Sequence, residues 1–205
     1  MVTKTVELTA LSQPSNDGAE AIAFTEPYIA RIGIEGTAAL LFHRWSNDAV
    51  EEKAKAAKGS KAKRSDNIES YVWRNGGGEL CLPGEYLRQA VIHAAKFKQD
   101  PRSPRKSAMD LFKAGIVSLT ELASLGTKDW DYLDRRRVVI QRNAITRIRP
   151  AMLAGWKAEI EFQVLLGEYI TPHLLHAVLT DAGRIVGLAD FRPTYGRFQV
   201  IRFDA

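Results

Sequence analysis

Residues 183–203 read GRIVGLADFRPTYGRFQVIRF, and this stretch sets the reading of the whole chain. Glycines at 183, 187 and 196 permit positive φ and close backbone approach. Arg184, Arg192 and Arg197 supply charge for a phosphate backbone, while Phe191 and Tyr195 supply faces on which a base can stack. The run from Phe198 to Phe203 is rich in strand formers. Just upstream, Thr171-Pro172 reads as an N-cap with proline at the first helical position. Leu174, Leu175, Val178, Leu179 and Ala182 form one apolar stripe, and Gly183 is the expected stop. The unit is helix, glycine-arginine loop, final strand. A plain connection whose glycines only make turns is the alternative.

Working outward, residues 156–166 carry the clearest alternation in the chain. Ala158, Ile160, Phe162 and Val164 interleave with Lys157, Glu159, Glu161 and Gln163, as in a strand with one buried and one wet face. Residues 28–42 read as a first strand, and 116–119 as another. From Glu85 to about Lys98, Tyr86, Leu87, Ala90, Val91, Ala94 and Phe97 share one helical face, with Gln89 and Lys96 opposite and His93 at the border. The order is strand, helix, strand, strand, helix, strand. This βαββαβ pattern predicts an α+β, ferredoxin-like fold of the kind used by RNA-recognition modules. Residues 1–20 read as a flexible arm and 21–205 as one domain, with insertions at about 46–70 and 99–150.

Smaller signals fill the insertions. Residues 49–58 read as a short helix and 59–66 as a basic loop. The sequence Asn75-Gly76-Gly77-Gly78 marks a hairpin, and Ser107 is placed to cap a short helix through Lys113. Residues 135–149 read as a second hairpin, turning at Arg142-Asn143-Ala144 and closed by Pro150.

Composition narrows the function. Of 205 residues, 29 are Lys or Arg and 24 Asp or Glu, for a formal net charge of +5. The cations cluster: residues 53–64 hold six with no acid, 96–106 five with one acid, and 135–149 six arginines with no acid. Any one cluster suits a solvated face, but three together favour a polyanion partner. The candidate contacts are Arg44, Lys61, Lys63, Arg64, Arg135, Arg136, Arg137, Arg142 and Arg147, beside those of the terminal loop. With one cysteine, Cys81, there is no internal disulfide and no CxxC zinc motif. No apolar run reaches membrane-span length and no signal pattern opens the chain, so a cytoplasmic setting is expected, with no cofactor and no membrane partner.

Three places resemble the RAMP superfamily, and within it the backbone subunits of CRISPR effector complexes. Leu82-Pro83-Gly84-Glu85-Tyr86-Leu87-Arg88 is similar to that family's strand-end, Pro-Gly, helix motif, which adds Arg88 to the contacts. Residues 183–196 resemble its glycine-rich loop, and 135–149 occupy the place of its thumb hairpin. The usual Ser-Ser-Leu-Lys-Gly after Pro-Gly is Glu85-Tyr86-Leu87-Arg88-Gln89 here, as in a distant relative. The resemblance implies a protein that oligomerises head to tail along single-stranded guide RNA. It would contact backbone, splay bases, and meet target nucleic acid and other effector subunits.

Three rival functions remain open, one of them an interaction protein whose basic faces meet acidic partners. A guide-independent, phage-type binder of single-stranded nucleic acid would use the same cations. A metal-independent endoribonuclease of the same superfamily needs a general base, for which His43 beside Arg44 is the candidate. His173 and His176 lie in a helix that must bury one face. Asp48 follows the first strand, near where type III backbone subunits place a carboxylate for target cleavage. The expectation is a binding protein, not an enzyme.

Overall fold

The computed structural model describes residues 26–44, 67–140 and 143–205, together with Lys55; for 138–140 and 143–145 it describes the backbone alone. The arm at 1–20 and the basic loop at 59–66 lie outside the described residues, as do Asp48, Lys61, Lys63, Arg64 and Arg142. Of the helix expected at 49–58, only Lys55 is described.

The core follows from period-two patterning. Strand β1 (Tyr28–Gly36) buries Ala30, Ile32 and Ile34 and turns Arg31 and Glu35 outward. Residues 40–41 form β2, pairing in a different sheet from β1. The single long strand expected over 28–42 is thus two strands with a turn between them. The cause is Trp156, whose indole covers Gly36 so closely that any side chain there would collide with it. Its ring N–H donates to the Ala38 carbonyl at 2.9 Å and holds the turn.

The remaining elements are β3 (Trp73–Arg74), β4 (Leu80–Pro83), helix α1 (Gly84–Ala95), β5 (Gln99–Asp100), β6 (Ser103–Ser107), helix α2 (Met109–Gly115), β7 (Ile116–Ser118), β8 (Leu122–Ser124), β9 (Tyr132–Ile140), β10 (Asn143–Met152), β11 (Lys157–Val164), helix α3 (Pro172–Asp181) and β12 (Phe198–Asp204). Ser107 belongs to β6 and Ala108 stands at the α2 N-cap, so the expected serine cap is not used. The principal sheet has the order β12-β1-β11-β7, with every neighbouring pair antiparallel. Numbered within the βαββαβ core, that order is 4-1-3-2, the ferredoxin-like arrangement. Ile32 stands opposite Ile160 on one side and Phe203 on the other, so one apolar row crosses the sheet.

Helices α1 and α3 cover that row with Leu87, Val91, Leu175 and Leu179, all fully buried. Each such side chain contributes roughly 1.5–3 kcal/mol by leaving water. Glycine is demanded at the start of α1, where a Cβ on Gly84 would run into the Thr120 carbonyl. Arg88 fastens the same helix. Its Nε donates to the Ile116 carbonyl at 2.7 Å, Nη2 to the Lys113 carbonyl at 2.8 Å, and Nη1 pairs with Glu85. With all three nitrogens bound internally, Arg88 is a structural clamp on α1.

Two three-stranded sheets, β2-β10-β9 and β3-β4-β8, flank the core, and β5 pairs with β6. The hairpin at 135–149 forms as expected but is longer, running from Tyr132 to Met152 with residues 141–142 between its arms. Pro150 does not close it; it lies inside β10, where its carbonyl accepts from Phe42 N–H at 3.0 Å.

Helix α3 starts at its expected cap, with Thr171 Oγ1 accepting from Leu174 N–H at 3.2 Å. It does not stop at Gly183. The chain continues through a π-helical turn, Ala182–Val186, and ends at Gly187, whose N–H donates to the Ala182 carbonyl at 2.8 Å. Gly183 is needed for passage, because a Cβ there would strike the Phe198 carbonyl.

Candidate nucleic-acid interface

Residues 187–196 form a loop closed at its neck by glycines. Leu188 N–H donates to the Gly196 carbonyl at 2.9 Å. Gly187 (φ 75°) and Gly196 (φ 70°) both adopt the left-handed region, and a Cβ on Gly196 would collide with the Leu188 carbonyl. The glycines therefore serve closure of the loop itself. The loop is then stitched to the β1–β2 connection and β2: Gly196 N–H donates to the Ala39 carbonyl at 2.8 Å and Asp190 N–H to the Leu41 carbonyl at 3.1 Å. Two non-glycine residues, Ala189 (φ 59°) and Phe191 (φ 54°), are held in left-handed backbone. Such positions cost about 1–3 kcal/mol each and gather at functional sites.

The hairpin lays arginines on this loop. Arg136 and Arg147 are cross-strand partners, as are Asp134 and Arg149, so all four share one face. Arg136 stacks over Tyr195 at 4.5 Å and Phe191 at 5.2 Å, hydrogen-bonds the Tyr195 hydroxyl, and pairs with Asp134. Arg147 lies 5.6 Å from the Phe191 ring and 2.8 Å from Asp190 Oδ2. Since Asp190 Oδ2 has no aligned hydrogen bond, this is a charge contact and not a directed one. Arg149, almost wholly buried, stacks on Tyr71 at 3.7 Å. Arg135 and Arg137 alternate to the other face and are exposed. The structure thus brings together Arg136, Arg147, Phe191 and Tyr195 from the sequence-derived set, and adds Arg149, Tyr71, Asp134 and Asp190.

On the far side of the loop a groove opens against α1. One part, about 300 Å³, is lined by His43, Tyr86, Gln89, His93, Ala189 and Arg192. A wider part, about 600 Å³, continues past Lys96, Phe97, Ile185 and Pro193. Phe97 was expected on the buried stripe of α1 but is 66% exposed, because the helix ends at Ala95 and the following turn swings it out. Gln89, His93 and Lys96 follow one another at helical spacing on the polar face of α1, which is the signal that would have found them.

The other expected contacts are scattered. Arg192 and Arg197 are exposed and make no ion pair among the described residues, whereas Arg184 pairs with Asp181 at 2.9 Å. Arg44 stacks over Trp73 at 4.3 Å, with Nε buried and unpartnered among the described residues. His43 is half-buried, and burial pushes its imidazole below the usual histidine range, with Arg149 and Arg147 adding to the effect and Asp190 opposing it. Its Nδ1 is buried without a partner among the described residues. His176 packs edge-on against Phe203 at 5.3 Å, away from the groove.

The open face of the main sheet is different in kind. Arg31 pairs with Glu161 at 2.9 Å, Lys157 with Glu35 at 3.4 Å, and Arg202 with Asp204 at 2.7 Å. No aromatic side chain of β1 or β11 lies on it in the manner of an RNA-recognition module. Among the described residues no cluster of metal-ligating side chains occurs, and no helix is long and apolar enough to cross a membrane.

No protein-family model matches the chain, and no curated protein matches it in sequence. Solved structures do. A chain of the type III-B Cmr-beta complex bound to cognate target RNA, determined by cryo-electron microscopy, is similar with a TM-score of 0.53 at 10% identity. The match covers 87% of this chain and 60% of that one, so this chain spans less than two thirds of its length. The crystal structure of Cmr6 from Pyrococcus furiosus gives a TM-score of 0.45 at 10% identity, covering 85% of this chain and 99% of that one. The likeness to the Cmr-beta chain is one of fold, and with the 4-1-3-2 sheet it makes this an α+β, ferredoxin-like chain.

Proposed function

We propose that this chain binds single-stranded RNA as a subunit of a CRISPR-associated ribonucleoprotein, with several copies lying head to tail along a guide. The observation that carries this reading is the arginine hairpin seated on a strained, aromatic loop that opens onto a cationic groove. Arginine forks suit phosphate oxygens and the aromatics suit unstacked bases. The Cmr-beta chain that shares the fold comes from a complex bound to target RNA, which fits the same role. The self-paired charges of the open sheet face leave that surface a weaker candidate.

The test is equilibrium binding of a fluorescent single-stranded RNA at several salt concentrations. About six to ten phosphate contacts lose on the order of a thousandfold or more in affinity between about 50 and 200 mM salt. A salt-insensitive constant, or no binding at low salt, overturns the reading. Nucleic acid released from the purified protein separates the rivals. RNA of one length supports a guide, mixed fragments support the guide-independent binder, and progressive shortening of added RNA supports an endoribonuclease. For the last, His43 would need an orienting partner, and none is present among the described residues.

A further inference from the structure

We infer that Phe97 is a base-stacking platform, on which the wider part of the groove receives one splayed nucleobase of a single-stranded RNA, whatever that base is. The inference rests on the RNA-binding reading above and deepens it, by adding a stacking face on the turn after α1 to those of the 187–196 loop. The loop aromatics already have partners: Arg136 lies over both Phe191 and Tyr195, and Arg147 over Phe191. Phe97 is 66% exposed, and among the described residues no ring or guanidinium stacks on it.

The backbone that presents this ring is pinned on both sides. Phe97 N–H donates to the Ala94 carbonyl at 3.0 Å and Lys98 N–H to the Ala95 carbonyl at 3.1 Å. The Lys98 carbonyl accepts from Ala108 N–H at 2.9 Å, and its ammonium pairs with Asp181 of α3 at 2.8 Å. A ring on a fixed turn gives up little freedom when a base stacks on it. A lone exposed apolar side chain is unremarkable, but Phe97 lines a groove of about 600 Å³ together with Pro193 and Ile185, which is itself 38% exposed. Charge names the occupant. His93 and Lys96 bring basic groups from α1 and its C-cap, Arg192 brings one from the loop, and the one acid of the groove, Asp190, is taken by Arg147. An aromatic ring in a basic groove answers both halves of a nucleotide, the flat base and the anionic phosphate. An apolar peptide would cover the ring and leave the cations unanswered. Every nucleobase has a π-face, so a platform of this kind holds any base.

The test compares, at low salt, a short oligoadenylate with a strand of the same length and charge whose bases are replaced by abasic spacers. Binding of each is measured for the parent, Phe97→Ala, Phe97→Leu and Phe97→Trp, with melting followed by circular dichroism. Leucine keeps apolar bulk and removes the ring, whereas tryptophan keeps an aromatic face. Phe97→Ala and Phe97→Leu should weaken the oligoadenylate roughly five- to hundredfold, spare the abasic strand and melt like the parent. Phe97→Trp should bind both strands as the parent does. An equal loss on both strands, no loss on either, or full affinity in Phe97→Leu overturns the platform while leaving RNA binding intact. A Phe97→Ala chain that melts far below the parent makes the ring structural and overturns it as well. So does unchanged RNA affinity with an altered mass in light scattering, which would give the groove to a protein. A parent that binds neither strand removes the functional reading beneath it.

Discussion

At the scale of single residues the arginines divide into two classes that sequence could not separate. Arg136, Arg147 and Arg149 are committed to aromatics and to Asp134 or Asp190; Asp134 sits two residues from Arg136 on β9, but Asp190 and the aromatics come from elements distant in sequence. Arg192 and Arg197 are exposed, and the acids that could have held them are occupied elsewhere, Asp190 by Arg147 and Asp204 by Arg202. The double variant Arg192→Ala with Arg197→Ala should therefore keep its melting temperature and lose RNA affinity, with the salt slope reduced by up to about one per lost contact. Arg147→Ala should instead lower stability by about 1–3 kcal/mol, because Asp190 is left half-buried beside one partner fewer. A double variant that melts far below the parent would make those arginines structural. His43 yields a pH prediction. Its folded pKa lies below that of the unfolded chain, so the unfolded state takes up the proton first, and stability present above about 6.5 falls as pH drops below it. His176 acts in the same direction through burial, so His43→Gln should remove part of the acid loss in denaturant midpoints measured between about pH 7.5 and 5. An unchanged slope would mean that His43 is not buried as described.

At the scale of elements, what was legible was what repeats. The alternation of β11, the N-cap of α3 and the apolar stripe of α1 are local and periodic, and they gave the βαββαβ order whose sheet arrangement followed. What was not legible depends on tertiary contact. The split of the first strand at Gly36 needs Trp156, some 120 residues away, to lie on it. Glycine at 183 is needed because the Phe198 carbonyl lies alongside, not because the helix stops there. Gly187 and Gly196 were recognised as special, but their role required knowing that they face each other across the loop neck. That role gives a sharp test. Gly196→Ala should lower both the melting temperature and RNA affinity, since its Cβ meets backbone and its φ is left-handed. Gly76→Ala, with open space around it, should leave both unchanged. If Gly196→Ala folds and binds like the parent, the neck is not what shapes the interface.

At the scale of the whole molecule, charge is partitioned by surface. The open face of the main sheet holds its cations and anions in mutual pairs, so it gains little by meeting phosphate. Exposed surface pairs of this kind are individually worth no more than about 1 kcal/mol, and they can be re-formed across an interface with another protein. The hairpin and loop, by contrast, expose Arg135, Arg137, Arg192 and Arg197, which are available to the RNA strand proposed above. A subunit with one surface for RNA and others left for protein can stack on copies of itself, and a head-to-tail contact that does not close gives an open helical array. The expected outcome in light scattering is a mass that rises with the length of single-stranded RNA supplied, one copy being added per fixed increment of nucleotides. Reversing charges on the sheet face, as in Arg31→Glu with Lys157→Glu, should then distinguish assembly from binding: if that face meets a neighbour, the array shortens while affinity for a short RNA is kept. If the array forms undiminished, the neighbour docks elsewhere. One protein per RNA at every length, with tight binding, would leave a single-stranded RNA binder and remove the head-to-tail assembly.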